Sequence, residues 1–224
     1  MHFALRRLYP ILDSAILPDD SLKREELLRS LVRDLIAAGV TLLQYRNKQG
    51  SEAQILADCA IFREVLSDTG VTERCLLILN DRPDLVAAAA FDGAHIGQED
   101  ISPVEARAIL GPERILGVST HNEEQLQQAN DSDADYLAIG PVFATTTKQK
   151  PHPVVGLEGV RRARALASKP LVAIGGITLA NCRSVRDAGA DCVAVISSLF
   201  GTAHANASPQ SIQKTARDFF AELR

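Results

Sequence analysis

Two hydrophobic patterns alternate along the chain. Short runs of consecutive apolar residues are each followed by a polar loop, and then by a longer segment in which apolar residues recur every three or four positions. Continuous apolar runs are typical of strands buried on both faces, whereas a spacing of three or four is typical of an amphipathic helix. The pattern therefore predicts a repeated strand–helix unit.

Eight such units are predicted. Strands are expected at residues 8–12, 41–45, 75–79, 94–96, 115–118, 136–139, 171–174 and 192–195, and helices at 21–38, 52–67, 84–90, from 102 onward, 123–129, 159–167, 179–188 and 209–223. Ser51 with Gln54, and Ser102 with Glu105, are expected to form capping boxes at two helix starts. Alternating strands and helices form right-handed βαβ units around a parallel sheet.

We predict an α/β fold, a single (β/α)8 TIM barrel that forms one domain over residues 1–224. Eight units in about 200 residues fit a closed barrel better than an open sheet. An open doubly wound sheet is the alternative, but no G-x-G-x-x-G fingerprint follows a predicted strand.

Composition narrows the class of protein. The 224 residues are 46% apolar and carry a formal net charge of -4, which argues against nucleic-acid or anionic-membrane partners. No apolar stretch approaches the length of a membrane span, and the N-terminus lacks a signal-peptide pattern, so we expect a cytoplasmic protein. Because no C-x-x-C pair occurs, the cysteines are expected to be reduced and mostly buried; they are Cys59, Cys75, Cys182 and Cys192. A homo-oligomer is compatible with the sequence, which leaves the oligomeric state open.

Polar residues at the predicted strand ends are the main chemical signal, because the active site of this fold lies in the loops after the strands. After strand two, alternation places Gln44, Arg46 and Lys48 on one side. A guanidinium and an ammonium together suit a diphosphate. The alternative is a strand that simply leaves the core into solvated charge.

Two aspartates follow neighbouring strands, Asp81 after strand three and Asp100 after strand four. Such a pair could hold one Mg2+ through oxygen ligands, with water and phosphate oxygens completing an octahedron. Each aspartate alone is more often a turn or cap residue. The pair opposite cationic strand ends favours a metal–diphosphate site.

The loops after strands six to eight suggest a second anion site. Three threonines and Lys148 open the longest loop, which runs to about Gly156 and is expected to act as a lid. Gly175 and Gly176 follow strand seven, where backbone N–H groups often bind phosphate in these barrels. A surface loop and a tight turn are the structural alternatives. Together the strand ends predict an enzyme that acts on two phosphorylated small molecules.

Seven ordered blocks at these strand ends resemble the thiamine-phosphate synthase family. The blocks are residues 44–48, 80–82, 95–100, 116–119, 140–148, 173–177 and 193–197, and the resemblance extends over residues 8–200. It implies a cytoplasmic transferase of thiamine biosynthesis, which joins an aminopyrimidine diphosphate to a thiazole phosphate with Mg2+ as cofactor. In that reaction diphosphate leaves first, and the thiazole nitrogen captures the resulting pyrimidinylmethyl cation.

The resemblance also implies residue roles. Aminopyrimidine diphosphate would contact Gln44, Arg46, Lys48, Asn80, Ser119 and Lys148; thiazole phosphate would contact Thr145, Thr147, Gly176, Ile196 and Ser197; Mg2+ would bind Asp81 and Asp100. Tyr45, Asn47 and Thr146 complete the substrate-binding positions implied by the matching blocks. Arg46, Lys48 and Lys148 would be catalytic because they stabilise charge on the departing diphosphate. Asn47 stands where the family often has an acidic residue, and alternation points it away from Arg46.

Two other functions fit the same barrel. A related thiazole tautomerase would need no metal–diphosphate site, and Asp100 and the run from Thr145 to Lys148 argue against it. A non-catalytic sensor would bind thiazole phosphate through Gly176 and Ser197 without turnover. Only the synthase predicts that removal of Mg2+ stops product formation.

Overall fold

Eight parallel strands close into a barrel in the computed structural model, which describes residues 6–70, 75–145, 152–201 and 209–224. The strands are β1 (Leu8–Asp13), β2 (Leu42–Arg46), β3 (Leu76–Asn80), β4 (Gly93–Ile96), β5 (Ile115–Thr120), β6 (Tyr136–Ile139), β7 (Leu171–Ile174) and β8 (Cys192–Val195). Each strand pairs with the next, and β1 also pairs with β8, with Leu8 opposite Val193. This closure confirms the predicted TIM barrel and excludes the open sheet. The extent of the domain, residues 1–224, stays a prediction.

Helices connect the strands. Those found within the described residues are α1 (Ser21–Ala37), α2 (Glu52–Asp68), α3 (Pro103–Leu110), α4 (Glu123–Asn130), α5 (Gly156–Leu166), α6 (Cys182–Asp187), α7 (Ser197–Phe200) and α8 (Pro209–Glu222). None of them has both the length and the hydropathy of a membrane span. The four cysteines are free and buried, as predicted.

Strand alternation divides the apolar residues into two cores. Side chains such as Leu43 and Leu79 point outward and pack against the helices in the larger core. Side chains such as Ile78 and Val172 fill the interior of the barrel. Because side chains two positions apart share a face, the inward set continues toward the C-terminal strand ends. It ends there in polar residues, which form the mouth of the barrel.

The capping signals are confirmed at one helix and half confirmed at the other. Ser102 accepts a hydrogen bond from the N–H of Glu105, whose carboxylate accepts one from the N–H of Ser102. Ser51 accepts a hydrogen bond from the N–H of Gln54. The Gln54 side chain, however, donates to Asp58 at 3.0 Å instead of returning to Ser51. The Gln54 amide therefore binds the buried Asp58 carboxylate, and the second hydrogen bond of the predicted capping box does not form.

The helix predicted at residues 84–90 is wrong. The chain forms only a short 3₁₀ helix (Pro83–Leu85) followed by turns. Ala90 adopts a left-handed conformation with φ 51°, and the N–H of Phe91 donates back to the carbonyl of Val86 at 3.1 Å. This reversal ends the turn and buries Phe91 in the outer core. Tertiary packing thereby overrides the helix propensity of the alanine run.

Candidate active site

Arg46 and Asp13 form an ion pair at the mouth of the barrel. They stand opposite each other at the ends of β2 and β1, and the guanidinium contacts the Asp13 carboxylate directly. Both side chains are largely shielded from solvent. The guanidinium is therefore held at the mouth as a fixed positive charge. Arg46 was among the predicted site residues and Asp13 was not, although an aspartate that ends an apolar strand is a signal of the same kind as Asp81.

Lys48, Asp81 and Asp100 form a charged cluster beside this ion pair. The Lys48 ammonium pairs with an Asp81 oxygen that has no hydrogen-bond partner of acceptable geometry among the described residues, so the contact is electrostatic. Asp100 accepts a hydrogen bond from the N–H of Gly97 at 2.7 Å. Burial raises the pKa of the Asp100 carboxyl, and so does its contact with Asp81. The structure therefore brings together the cation and both carboxylates that the sequence singled out.

The backbone at Asp81 is constrained as well. Asp81 adopts a left-handed conformation with φ 58°, which is uncommon for a residue other than glycine. Its N–H donates to the carbonyl of His95 at 2.8 Å, so the β3 end is tied to β4. Strained non-glycine residues cluster at functional sites. The neighbouring Asn80 amide nitrogen is buried and lacks a hydrogen-bond partner among the described residues, which leaves a donor for a ligand.

Tyr45 and Asn47 lie on the opposite face of β2. Tyr45 is fully buried and its hydroxyl donates to the Asp58 carboxylate, which also binds Arg24. The Asn47 amide donates to the Tyr45 hydroxyl at 3.1 Å, and its oxygen accepts from the N–H of Gly50 at 2.7 Å. The structure therefore places these two predicted substrate contacts in the outer core, behind the mouth. From there they support the loop that carries Lys48.

Ser119 and Gln44 stand inside the barrel at the two ends of a hydrogen-bond chain. The Gln44 amide nitrogen donates to the Tyr9 hydroxyl at 2.8 Å, and that hydroxyl lies 3.0 Å from the Tyr136 hydroxyl. Tyr136 in turn lies 2.9 Å from His95 Nδ1, and His95 Nε2 lies 2.8 Å from the Ser119 hydroxyl. The sequence predicted the two ends of this chain but missed its three middle members. No local pattern marks residues that meet across a barrel.

The loops after β6 and β7 meet closely at Gly176. This residue has φ 63°, and an added Cβ would lie 2.6 Å from the Ala144 carbonyl and 2.8 Å from the Phe143 Cβ. Only glycine satisfies both the conformation and the approach. Thr145, the next residue of the β6 loop, is half-buried. The other predicted residues of that loop (Thr146, Thr147 and Lys148) lie outside the described residues.

The end of β8 contributes the remaining predicted positions. Ile196 packs against the inner core, and Ser197 is exposed at the first position of α7. Ser198 donates to the carbonyl of Ile177 at 2.7 Å, which joins α7 to the β7 loop. Ile196 and Ser197 thus adjoin the loop that contains Gly176. The distances between individual strand ends cannot be read from sequence, but their order around the rim follows from the barrel.

The whole barrel region matches a family model described as thiamine monophosphate synthase, which covers residues 8–199. The chain belongs to this family. Curated relatives named thiamine-phosphate synthase include one from Koribacter versatilis, which is 54% identical over 87% of this chain and 89% of its own. Another, from Moorella thermoacetica, is 41% identical over 82% of this chain and 86% of its own. These comparisons confirm the predicted family and the assignment as a thiamine-phosphate synthase, a transferase.

Solved structures agree with this membership. A thiamine phosphate pyrophosphorylase from Pyrococcus furiosus superposes with a TM-score of 0.80 at 30% identity, covering 97% of this chain and 95% of its own. A pyrophosphorylase from Bacteroides thetaiotaomicron superposes with a TM-score of 0.67 at 15% identity, over 97% of both chains, which shows the shared fold alone. The agreement extends across the barrel and is not limited to one motif.

Proposed function

We propose that this chain makes thiamine phosphate in an Mg2+-dependent reaction at the mouth of the barrel. The aminopyrimidinylmethyl group moves from its diphosphate to the ring nitrogen of thiazole phosphate, and diphosphate is released. The observation that carries the proposal is the cluster of Lys48, Asp81 and Asp100 beside Arg46, since it combines two adjacent carboxylates with two cations. Small-molecule substrates follow from the reaction, whereas a cytoplasmic location and a homo-oligomer stay predictions.

The two carboxylates fit a divalent cation. Burial raises the pKa of the Asp100 carboxyl, and the contact with Asp81 raises it further because two like charges at close range are unfavourable. No group of three or more His, Cys, Asp or Glu side chains suited to a metal occurs among the described residues. Two aspartates would therefore hold Mg2+ together with water and substrate oxygens, as is usual for this ion. When bound, Mg2+ would neutralise charge on the diphosphate oxygens.

Arg46 and Lys48 would bind the diphosphate. Each is already oriented by a carboxylate, Asp13 for Arg46 and Asp81 for Lys48. Such preorganisation means that little reorganisation is needed when negative charge builds on the leaving group. Beside them, the Asn80 amide nitrogen has no hydrogen-bond partner among the described residues and offers a donor. Lys148 would add a third cation from the β6 loop.

Thiazole phosphate would bind on the β7 and β8 side. Gly176 lies where the β6 and β7 loops meet, and backbone N–H groups there would bind the phosphate. Thr145 follows Ala144, whose carbonyl lies against Gly176, and Ile196 and Ser197 precede Ser198, which donates to the β7 loop at Ile177. The ring nitrogen attacks as a free base, so the reaction needs no protein base. The contribution of the protein is to hold the two substrates in line and to exclude water from the cation between them.

A direct assay tests the proposal. The purified chain is mixed with aminopyrimidine diphosphate, thiazole phosphate and Mg2+, and thiamine phosphate and diphosphate are followed by mass spectrometry. We expect both products, and we expect a chelator to abolish them. Binding of thiazole phosphate without product would instead support the sensor, and isomerisation of a thiazole without diphosphate release would support the tautomerase.

Asp81→Ala tests the metal site, with Asp84→Ala as its matched control. Asp84 is an exposed carboxylate three positions away that pairs with Arg82. We expect Asp81→Ala to lower turnover at least a hundredfold and to shift the Mg2+ titration to higher concentration, while Asp84→Ala changes neither. Equal Mg2+ titrations for the wild-type protein and Asp81→Ala would refute the assignment of this ligand.

A further inference from the structure

A continuous hydrogen-bond chain crosses the barrel interior from Gln44 to Ser119. Its middle members are Tyr9, Tyr136 and His95, and every link is between 2.8 and 3.0 Å. All five side chains are buried, the least buried being Ser119 and His95 at 8% exposure. The rings of His95 and Tyr136 are also stacked at 5.5 Å. A chain of this length inside a core is costly unless every member is satisfied.

A glycine on β5 leaves room for the hydrogen-bond chain. At Gly117 on β5, an added Cβ would lie 2.0 Å from the Tyr136 ring and 2.3 Å from its hydroxyl oxygen. No side chain is compatible with that approach. Gly117 therefore makes the space in which Tyr136 reaches both Tyr9 and His95. Gly117 lies two positions before Ser119, and the two residues therefore share the inward face of β5.

The polarity of the chain follows from its first link. Burial raises the pKa of the Tyr9 and Tyr136 phenols, so each hydroxyl carries its single proton at neutral pH. Because Gln44 donates to Tyr9, the Tyr9 proton points to Tyr136. When Tyr136 donates to His95 Nδ1, the imidazole proton lies on Nε2 and points to Ser119. The Ser119 proton is then directed away from the chain, toward the mouth.

We propose that Tyr9, Tyr136 and His95 are positioning residues. They link the orientation of the Gln44 amide to the direction of the Ser119 O–H, and so select an amino-substituted heterocycle. With this polarity Ser119 would donate to a ring nitrogen, and the Gln44 carbonyl oxygen would accept from an exocyclic amine. A rotated Gln44 amide would reverse every link, including the histidine tautomer. The hydrogen bonds that Gln44 and Ser119 offer to a ligand therefore reverse together.

This coupling predicts discrimination against an oxo-substituted ring. A 4-oxo pyrimidine offers an acceptor where the amine donates, yet it keeps an acceptor ring nitrogen for Ser119. Gln44 could match the oxo group only by reversing, which would turn Ser119 into an acceptor facing an acceptor. Sites with buried polar groups reject such analogues because one group is left unpaired. The inference rests on the proposed function, since it names the ring that the diphosphate carries.

Two measurements test the proposal. The first is 15N NMR of the histidine-labelled protein, which reports the tautomer of His95 without any turnover. We expect the Nε2–H form in the wild-type protein, and loss of this preference in Tyr136→Phe and in Tyr9→Phe. A wild-type His95 in the Nδ1–H form would overturn the polarity, even if the protein makes thiamine phosphate.

The second measurement compares kcat/KM for the 4-amino and 4-oxo pyrimidine diphosphates. We expect Tyr136→Phe and Tyr9→Phe each to lower the preference for the amino substrate about tenfold, the effect of roughly one hydrogen bond, with the KM for thiazole phosphate unchanged. Ile78→Val is the control, because it removes one methyl group from the same inner core, next to Gln44, and no hydrogen-bonding group of the chain. An unchanged preference in both tyrosine variants would overturn the proposal, whereas absence of product in the wild-type protein would instead refute the proposed function.

Discussion

Asp58 is the centre of a buried polar network in the outer core. Its carboxylate accepts from Arg24 Nε at 3.0 and 3.2 Å, from Arg24 Nη2 at 2.8 Å, from the Gln54 amide at 3.0 Å and from the Tyr45 hydroxyl. The Asp58 side chain is 1% exposed and that of Arg24 is 12% exposed. The ion pair therefore joins α1, α2 and β2 where water cannot replace it.

Asp58→Ala leaves the Arg24 guanidinium buried without its carboxylate. Removal of one partner of a buried ion pair costs about 3–5 kcal/mol, because the remaining charge is uncompensated. The Tyr45 hydroxyl and the Gln54 amide lose their acceptor as well. Since a domain is stable by about 5–15 kcal/mol, the variant should lose a large part of its free energy of unfolding. In a protein of this size the midpoint temperature should fall by roughly 10 °C.

Urea unfolding followed by circular dichroism measures the effect. Glu64→Ala is the control, since Glu64 pairs with Arg29 but its side chain is 56% exposed. Exposed pairs contribute about 1 kcal/mol or less, so this control should change stability little. A loss below about 1 kcal/mol in Asp58→Ala would refute the reasoning, because the guanidinium would then have to find water or another partner.

The same variant should also affect the site. Tyr45 connects Asp58 to Asn47, whose oxygen accepts the N–H of Gly50 and so shapes the loop that carries Lys48. We expect a KM for the pyrimidine diphosphate that is several times higher at a temperature where the variant is folded. An unchanged KM would show that the loop keeps its shape without this support.

Three further predictions concern other parts of the chain. Burial raises the pKa of Asp34, which sits in the last turn of α1 where a negative charge opposes the helix dipole; Asp34→Asn should therefore stabilise the protein by about 0.5 kcal/mol at neutral pH. Because the penalty applies to the ionised form, the gain should vanish as the pH falls through the raised pKa, which urea titrations at several pH values can check. Gly176→Ala should raise the KM for thiazole phosphate more than that for the diphosphate, since a Cβ would push on the β6 loop at Ala144; equal changes in steady-state kinetics would argue against it. Lys148→Ala should weaken diphosphate binding more than thiazole phosphate binding, and calorimetric titrations with equal losses would contradict its assignment.

The barrel could be predicted from sequence because several strands are continuous apolar runs. A strand that is buried on both faces can be recognised from its own segment, because all of its residues are apolar whatever its neighbours are. The segment at residues 84–90 misled because its alanines favour a helix, while Phe91 is buried by a reversal at Ala90. Gln54 likewise left its predicted cap for Asp58. At Phe91 a tertiary contact outweighed the local preference, and at Gln54 a buried carboxylate one turn along the same helix did so.

The candidate site was predictable only in part for the same reason. Asp81 and Asp100 follow neighbouring strands, so sequence order was sufficient to bring them together. The contact between Tyr9 and Tyr136, by contrast, joins residues 127 positions apart, and nothing in either segment marks it. Alternation along β2 places Tyr45 and Asn47 on the outward side, which is at odds with the substrate contacts that the family resemblance implies for them.

The pairing of β1 with β8 has a consequence for synthesis on the ribosome. β1 emerges first, yet one of its two edges finds its partner only when β8 has been made. The Arg7 guanidinium likewise donates to the Leu223 carbonyl, 216 positions later. Sequence separations of this size slow folding and leave strand edges exposed in the growing chain. The nascent polypeptide should therefore depend on chaperones that shield strand edges until its last strand leaves the exit tunnel.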